Sequence, residues 1–259
     1  MARQRRHSRP KKRRGRFGGL YKMLSVLLIS AAVIVACVVF FRVNTIEVTG
    51  NVRYTAEEII EASGIKTGDN LIALAGSRVS ASIRTQLPYV EGVALQRVYP
   101  DGLVIRVTER VAAASVDSAE GRWLISAQGK LLEKDNGSIQ TIRVDGLTAV
   151  GPYAGGMIQT TEEEALTLDY VKQLLGALEE YGILPQCTAL DCTAATSMTL
   201  EYGIYHLRLP RGGDYDYCVY LARSALTRGL EDGTIQEGQG GVLDLTVMDG
   251  KAYFRPDRS

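Results

Sequence analysis

The sequence predicts an α+β protein: one N-terminal transmembrane helix, then a small strand-helix-helix-strand-strand unit, then a β-rich domain with two helices packed on a sheet. Three observations lead there. A basic run without a single acid ends at Lys22, and an uncharged apolar stretch, Met23 to Phe41, follows at once. Behind it, a capping box and a Pro-Asp-Gly turn punctuate the first unit. In the remainder, short β-type runs bounded by glycine turns are interrupted by two amphipathic stretches.

Met23 to Phe41 is 19 residues long and holds no Asp, Glu, Lys, Arg, Pro or Gly. At ~1.5 Å per residue it spans ~28 Å, close to the ~30 Å hydrocarbon core of a bilayer. Residues 1–22 form a basic tail and 23–41 the span. Positive charge before a first helix stays in the cytoplasm, which places the C-terminal mass outside the cell membrane. Tyr21, Phe40 and Phe41 sit where interfacial aromatics are expected. A cleaved signal peptide fits less well, because the run exceeds a typical h-region and lacks a small-x-small exit before Phe40. Ile34-Val35-Ala36-Cys37 loosely matches a lipoprotein signal, but apolar sequence continues past Cys37 where a polar linker belongs. The basic tail could also meet nucleic-acid phosphates. A topology determinant that touches anionic lipid is the simpler reading.

The net charge of +1 conceals an asymmetry. Residues 1–42 carry eleven of the 30 Lys and Arg and none of the 29 Asp and Glu, leaving −10 on the rest. An acidic ectodomain is a poor match for nucleic acid or anionic wall polymer and suits protein partners. Cys187, Cys192 and Cys218 are an odd count, against a disulfide framework. They are expected as small core residues rather than a bridge or metal site.

In the first unit, 43–110, Val43, Ile46 and Val48 mark a strand closed by Gly50-Asn51. Thr55 and Glu58 form a capping box, and Gly64 ends that helix. A second helix covers Ser77 to Gln86, stopped before Pro88. Val90 to Tyr99 and Leu103 to Thr108 pair as a hairpin across Pro100-Asp101-Gly102.

In the second unit, 111–255, Trp123-Leu124-Ile125 and Lys130-Leu131-Leu132 flank a turn, and Thr141 to Val144 is a further strand. Thr161 to Glu164 reads as a second capping box, opening a helix whose face is Leu168, Val171, Leu175 and Leu178. Gly182 and Pro185 end it. Strands follow at Leu190 to Ala194, Met198 to Tyr202 and Tyr205 to Leu209. A helix runs from Tyr217 to Arg228, ending at Gly229. Val242 to Val247 and Ala252 to Phe254 form a final pair across Asp249-Gly250, with 256–259 as a short tail.

Nothing in the chain favours catalysis. His7 lies in the tail, leaving His206 as the one ectodomain imidazole, in a strand-like run where a half-exposed position is expected. No GxSxG, HExxH, SxxK, Walker A or GxGxxG pattern occurs. Gly238-Gln239-Gly240-Gly241 lacks phosphate-site context, and Asp214-Tyr215-Asp216 is better explained as a helix N-cap than as a calcium site. No catalytic residue, metal or cofactor is assigned.

Several motifs together carry a resemblance. Ile46-Glu47-Val48-Thr49-Gly50-Asn51, Tyr54-Thr55 and Glu57-Glu58-Ile59 resemble the opening of a POTRA domain. Gly68-Asp69-Asn70-Leu71-Ile72, Leu87-Pro88-Tyr89-Val90, Val98-Tyr99-Pro100 and Leu103 to Val107 with Glu109-Arg110 continue it. With a basic-flanked membrane helix just before, the chain resembles the bacterial cell-division family FtsQ/DivIB. Trp123-Leu124-Ile125 with Gly129, Asp145-Gly146-Leu147 and Gly241 to Leu245 are similar to that family's β domain. Val111-Ala112-Ala113-Ala114 stands where the family often has a proline after Glu-Arg.

The resemblance implies a non-enzymatic scaffold of the division septum. Such a scaffold binds FtsB/DivIC-like and FtsL-like coiled-coil partners and so connects to the septal peptidoglycan synthase complex. By motif match, partner binding is carried onto an edge strand, Asp244, Leu245, Thr246, Val247, Met248, Asp249 and Gly250, with Tyr253 and Phe254 as aromatic anchors. Alternation places Leu243, Leu245 and Val247 on a core face and Asp244, Thr246 and Met248 on an exposed one. An internal position for Val242 to Val247 stays open at this level, as do core positions for the two aromatics. The alternatives are a POTRA-type chaperone of envelope assembly, disfavoured because about four residues follow Arg255, and a membrane-tethered wall hydrolase.

Overall fold

The computed structural model describes residues 17–247 and 250–257. Arg3 to Arg16 of the basic tail, His7, Met248 and Asp249 lie outside them. Helix α1, Phe17–Phe40, begins more than a turn before the expected Met23. Its segment Gly19–Phe40, 22 residues, is long and apolar enough to cross a membrane and contains no buried residue, with Cys37 half-buried.

After α1 come β1 (Thr45–Thr49), α2 (Ala56–Ser63), α3 (Gly76–Gln86), β2 (Val90–Val98) and β3 (Gly102–Glu109). The sheet order is β1-β3-β2, with β1 parallel to β3 and β2 antiparallel to it. The capping box forms as expected: Glu58 N–H donates to Thr55 Oγ1 at 3.2 Å and Thr55 N–H to Glu58 Oε2 at 2.8 Å. Gly64 closes α2 with a left-handed φ of 68°, open to glycine without strain. Ile59 and Ile83 from the helices meet Leu103, Ile105 and Val107 of β3 in one buried cluster.

The second part holds β4 (Ala114–Ser118), β5 (Trp123–Ile125), β6 (Leu131–Lys134), β7 (Ile142–Ala149), α4 (Ala165–Glu180), β8 (Cys187–Asp191), β9 (Ser197–Tyr202), β10 (Tyr205–Pro210), α5 (Tyr215–Glu231), β11 (Gly241–Asp244) and β12 (Tyr253–Pro256). They make one nine-stranded sheet in the order β12-β11-β10-β9-β8-β7-β4-β5-β6. Two of its parallel pairs, β7 with β8 and β10 with β11, are joined through α4 and α5. Parallel neighbours require such crossovers, and crossovers are right-handed. Both step the same way along the sheet from strands of the same direction, so both helices land on one face. Leu168, Val171, Leu175 and Leu178 of α4 and Cys218, Val219 and Ala222 of α5 share the core with Leu190, Leu200 and Leu207.

Several boundaries differ from expectation. The second capping box does not form: residues 162–164 make a turn and α4 starts at Ala165. Glu164 instead accepts the backbone N–H of Thr148 at 3.0 Å, a partner at the end of β7. Helix α5 runs through Gly229 to Glu231, and Gly229 is a packing glycine rather than a stop: Ile235 Cδ1 lies 2.7 Å from where a Cβ on Gly229 would stand. Strand β4 was not foreseen. β8 begins three residues earlier than Leu190, and β12 runs through Pro256 of the expected tail. Cys187, Cys192 and Cys218 are free and buried, as expected of core residues. Burial pushes the Cys187 and Cys192 thiols up to about 12, so both remain protonated packing groups at neutral pH.

Candidate functional site at the free edge of the large sheet

The residues considered for chemistry have structural roles. His206 is a half-buried β10 residue opposite Glu201. Asp214 caps α5, accepting the Tyr217 N–H at 3.0 Å. Gly240 and Gly241 are small because backbones crowd them: a Cβ on Gly241 would lie 2.5 Å from the Arg255 carbonyl. Among the described residues no group of three His, Cys, Asp or Glu could hold a metal ion.

The described residues expected to bind a partner map to one end of the large sheet. β11, expected at the edge, is internal: β10 pairs with it in parallel and β12 in antiparallel register. The edge at this end of the sheet is β12, and β6 is the edge at the other; no further strand lies beside β12 among the described residues. Asp257 N–H donates to the Gly240 carbonyl at 3.1 Å, extending the β11–β12 register by one pair. Bonded and non-bonded pairs alternate in such a ladder, so Val242–Arg255 and Asp244–Tyr253 are the bonded ones. Phe254 and Pro256 therefore direct their backbone polar groups outward. Proline has no N–H, so within Tyr253–Pro256 the outward donor is the amide of Phe254, beside the Phe254 and Pro256 carbonyls.

The two faces of this edge differ. Phe254 lies opposite Leu243 and packs edge-on against Tyr205, ring centroids 6.3 Å apart, on the helix side. Leu245, Val247 and Gly250 line an apolar hollow of about 180 Å³ against Tyr217 and Leu221 of α5. Leu245 is buried and Val247 exposed, whereas Tyr253, the register partner of Asp244, is exposed on the other face of the sheet.

On the other face Asp244, expected exposed, is only 7% exposed. Its carboxylate accepts the Thr246 N–H at 3.0 Å and hydroxyl at 2.6 Å, and lies 3.6 Å from Arg208 and 3.8 Å from Arg255. Burial raises its pKa, but the Thr246 hydrogen bonds and the two guanidiniums outweigh that and hold it below the usual carboxylate range. This local turn ends β11 at Asp244, so Thr246 and Val247 belong to no ladder. The structure thus brings Leu245, Val247, Gly250 and Phe254 to the helix-side rim of the edge and sends Asp244 to the opposite face. The only sequence signal for the true edge was Pro256.

A family model described as a POTRA domain, FtsQ-type, matches residues 41–110. The cell division protein FtsQ of Syntrophotalea carbinolica is 30% identical over 224 residues, 82% of this chain and 76% of that protein. The chain belongs to the FtsQ/DivIB family of cell division proteins. FtsQ of Corynebacterium glutamicum is 27% identical over 163 residues, 61% of this chain and 73% of its own length. DivIB of Clostridium tetani is 25% identical over 233 residues, covering 89% and 86%. Membership of FtsQ/DivIB assigns the chain to cell division, and α1 is the one helix among the described residues long and apolar enough to cross a membrane.

Proposed function

We propose that this chain is a non-enzymatic scaffold of the divisome that receives a partner strand along β12. It divides near residues 110 and 111 into a POTRA domain and a partner-binding β domain. Its N-terminus is cytoplasmic and both sheets are extracytoplasmic, at the division septum. The partners are coiled-coil division proteins of the FtsB/DivIC and FtsL kinds, through which the scaffold regulates septal peptidoglycan synthesis. The observation that carries the reading is an open strand edge beside an apolar hollow. The outward Phe254 amide and neighbouring carbonyls supply register, while Val247 on the helix side and Tyr253 on the opposite face contact side chains that alternate between the two faces of the incoming strand.

Proline at Thr246 or Val247 is the test that the sequence alone recommends. In the folded chain the Thr246 N–H already serves Asp244, so the informative position is Phe254. Phe254→Ala removes the ring and keeps the amide, whereas Phe254→Pro removes both. With the full chain and a partner's extracytoplasmic segment in a binding titration, strand addition requires Phe254→Pro to bind at least about five-fold more weakly than Phe254→Ala, the value of one ~1 kcal/mol hydrogen bond. Equal affinities for the two variants would exclude pairing at β12.

A further inference from the structure

The end of the small sheet nearest α1 has its own exposed apolar surface, and the way the chain enters it identifies what covers that surface. Phe41 N–H donates to the Cys37 carbonyl at 3.2 Å, continuing the helical pattern of α1. The Phe41 carbonyl accepts the Leu71 N–H at 2.9 Å. One residue is therefore both the last of the membrane helix and the first held by the domain, with no spacer between them. Val43 N–H donates to Asp69 O at 2.8 Å, Gly68 N–H to Val43 O at 2.8 Å and Asn44 N–H to Asp101 O at 2.9 Å. The 68–72 loop and the β2–β3 hairpin tip thus clasp the chain where it leaves α1.

Both clasping segments carry apolar side chains outward. Ile72 is 50%, Val98 47% and Tyr99 59% exposed, beside Phe40 at 64%. Tyr99 packs edge-on against Phe41 at 5.6 Å between ring centroids, and Phe41 against Phe40 at 5.3 Å. The segments are stiff. Asn70 Oδ1 accepts from Ile72 N–H and Ala73 N–H, each at 3.0 Å, and Arg97 ties the hairpin to the loop through Leu71 O at 2.8 Å and Leu74 O at 2.7 Å.

The distances leave little freedom. The 22-residue apolar segment is ~33 Å long, enough to bring Phe40 to the edge of a ~30 Å hydrocarbon core. The headgroup layer beyond is about 5–8 Å deep on each side. Leu71 is hydrogen-bonded at the helix exit, so Ile72 and Tyr99 fall within that layer. Aromatic and aliphatic side chains flanked by the exposed Arg42 suit this zone, where rings sit among headgroups and guanidiniums reach phosphates.

We propose that Ile72, Val98 and Tyr99, with Phe40 and Phe41, form a lipid-seating surface that rests the small sheet on the outer face of the membrane. The surface turns the membrane helix and the domain into one oriented unit, so that β1 leads away from the bilayer at a set angle. This inference rests on α1 spanning the membrane.

The test uses the full chain, reconstituted in vesicles of phosphatidylcholine brominated near the glycerol end of its acyl chains, with phosphatidylglycerol as the anionic component. The one native tryptophan, Trp123, is buried and supplies the baseline. Tyr99→Trp and Val98→Trp each add a reporter at the proposed surface. Val52→Trp adds one at a 92% exposed position beyond the far end of β1, roughly 20 Å further from the membrane by strand rise. The expected result is blue-shifted emission at 98 and 99 that brominated lipid largely extinguishes and aqueous iodide does not, with the reverse at 52. Chain that floats with the vesicles while reporters at 98 and 99 respond to iodide alone overturns the seating and leaves the span intact. Chain that does not float with vesicles overturns the span, and the seating with it.

Discussion

At the scale of single residues, one device recurs. β8 ends at Asp191-Cys192-Thr193 and β11 at Asp244-Leu245-Thr246. In both, the aspartate Oδ1 accepts the backbone N–H and the hydroxyl of the threonine two residues on. That bonding competes with the ladder and stops the strand. The Asp-x-Thr spacing is visible in the sequence, yet alternation favoured a strand running on to Val247, because hydrophobic pattern says nothing about where a carboxylate finds its donors. Asp244 carries a testable consequence. Its folded pKa is depressed, so its contribution to stability is present above the ordinary carboxylate pKa of about 4 and is lost as pH falls through the lower folded value. Asp244→Asn is expected to cost about 1 kcal/mol at neutral pH and to flatten the acid limb of the denaturant-midpoint-versus-pH curve. A variant with the native acid limb would mean that other carboxylates set it.

At the scale of elements, two identical-looking start signals had different fates. Thr55 and Glu58 bond reciprocally, whereas Thr161 and Glu164 do not, because Glu164 is drawn to Thr148, sixteen residues away on β7. Local spacing can specify a cap only when no tertiary donor competes for the same carboxylate. Thr55→Ala should lower unfolding free energy by about 1 kcal/mol. Thr161→Ala should stay within about 0.5 kcal/mol of the parent. Equal losses in chemical denaturation would show that the second box does stabilise α4. The apolar face of α4 was legible from its spacing, and all four of its named residues are buried. That α4 and α5 are crossovers was not legible, since a helix period does not say whether the strands it joins are parallel.

At the scale of the whole molecule, the two sheets are joined by a compact polar and aromatic contact. Tyr89 O–H donates to Glu133 at 2.7 Å, and Arg53 pairs with the same carboxylate at 2.6 Å while lying 4.0 Å over the Tyr89 ring. Tyr89 also packs with Leu124 and Leu132 in a buried cluster of its own. Burial, then the hydrogen bond to Glu133, pushes the Tyr89 phenol well above its ordinary value, so the donor survives through neutral pH and is lost only as strongly alkaline conditions ionise it. Glu133→Gln weakens both charged contacts. Tryptic cleavage at Arg110, between the sheets, should then accelerate by about ten-fold, the value of one charge-assisted hydrogen bond of ~1.5 kcal/mol. An unchanged rate would assign the coupling to the apolar contact alone.

The apolar run, the Thr55 cap, the Pro100-Asp101-Gly102 hairpin and the buried face of α4 could be read from the chain alone. Each depends on residues a few positions apart, and local geometry answers to local spacing. The family could be read too, through motifs of the same short range. Which strand forms the edge of the large sheet was decided only in three dimensions. β11 lies between β10 and β12 because a crossover through α5 returns the chain parallel to β10, and the following turn then adds one more strand outside it. A position in a ladder is a relation among segments tens of residues apart, and no periodicity along one of them encodes which neighbour it will have.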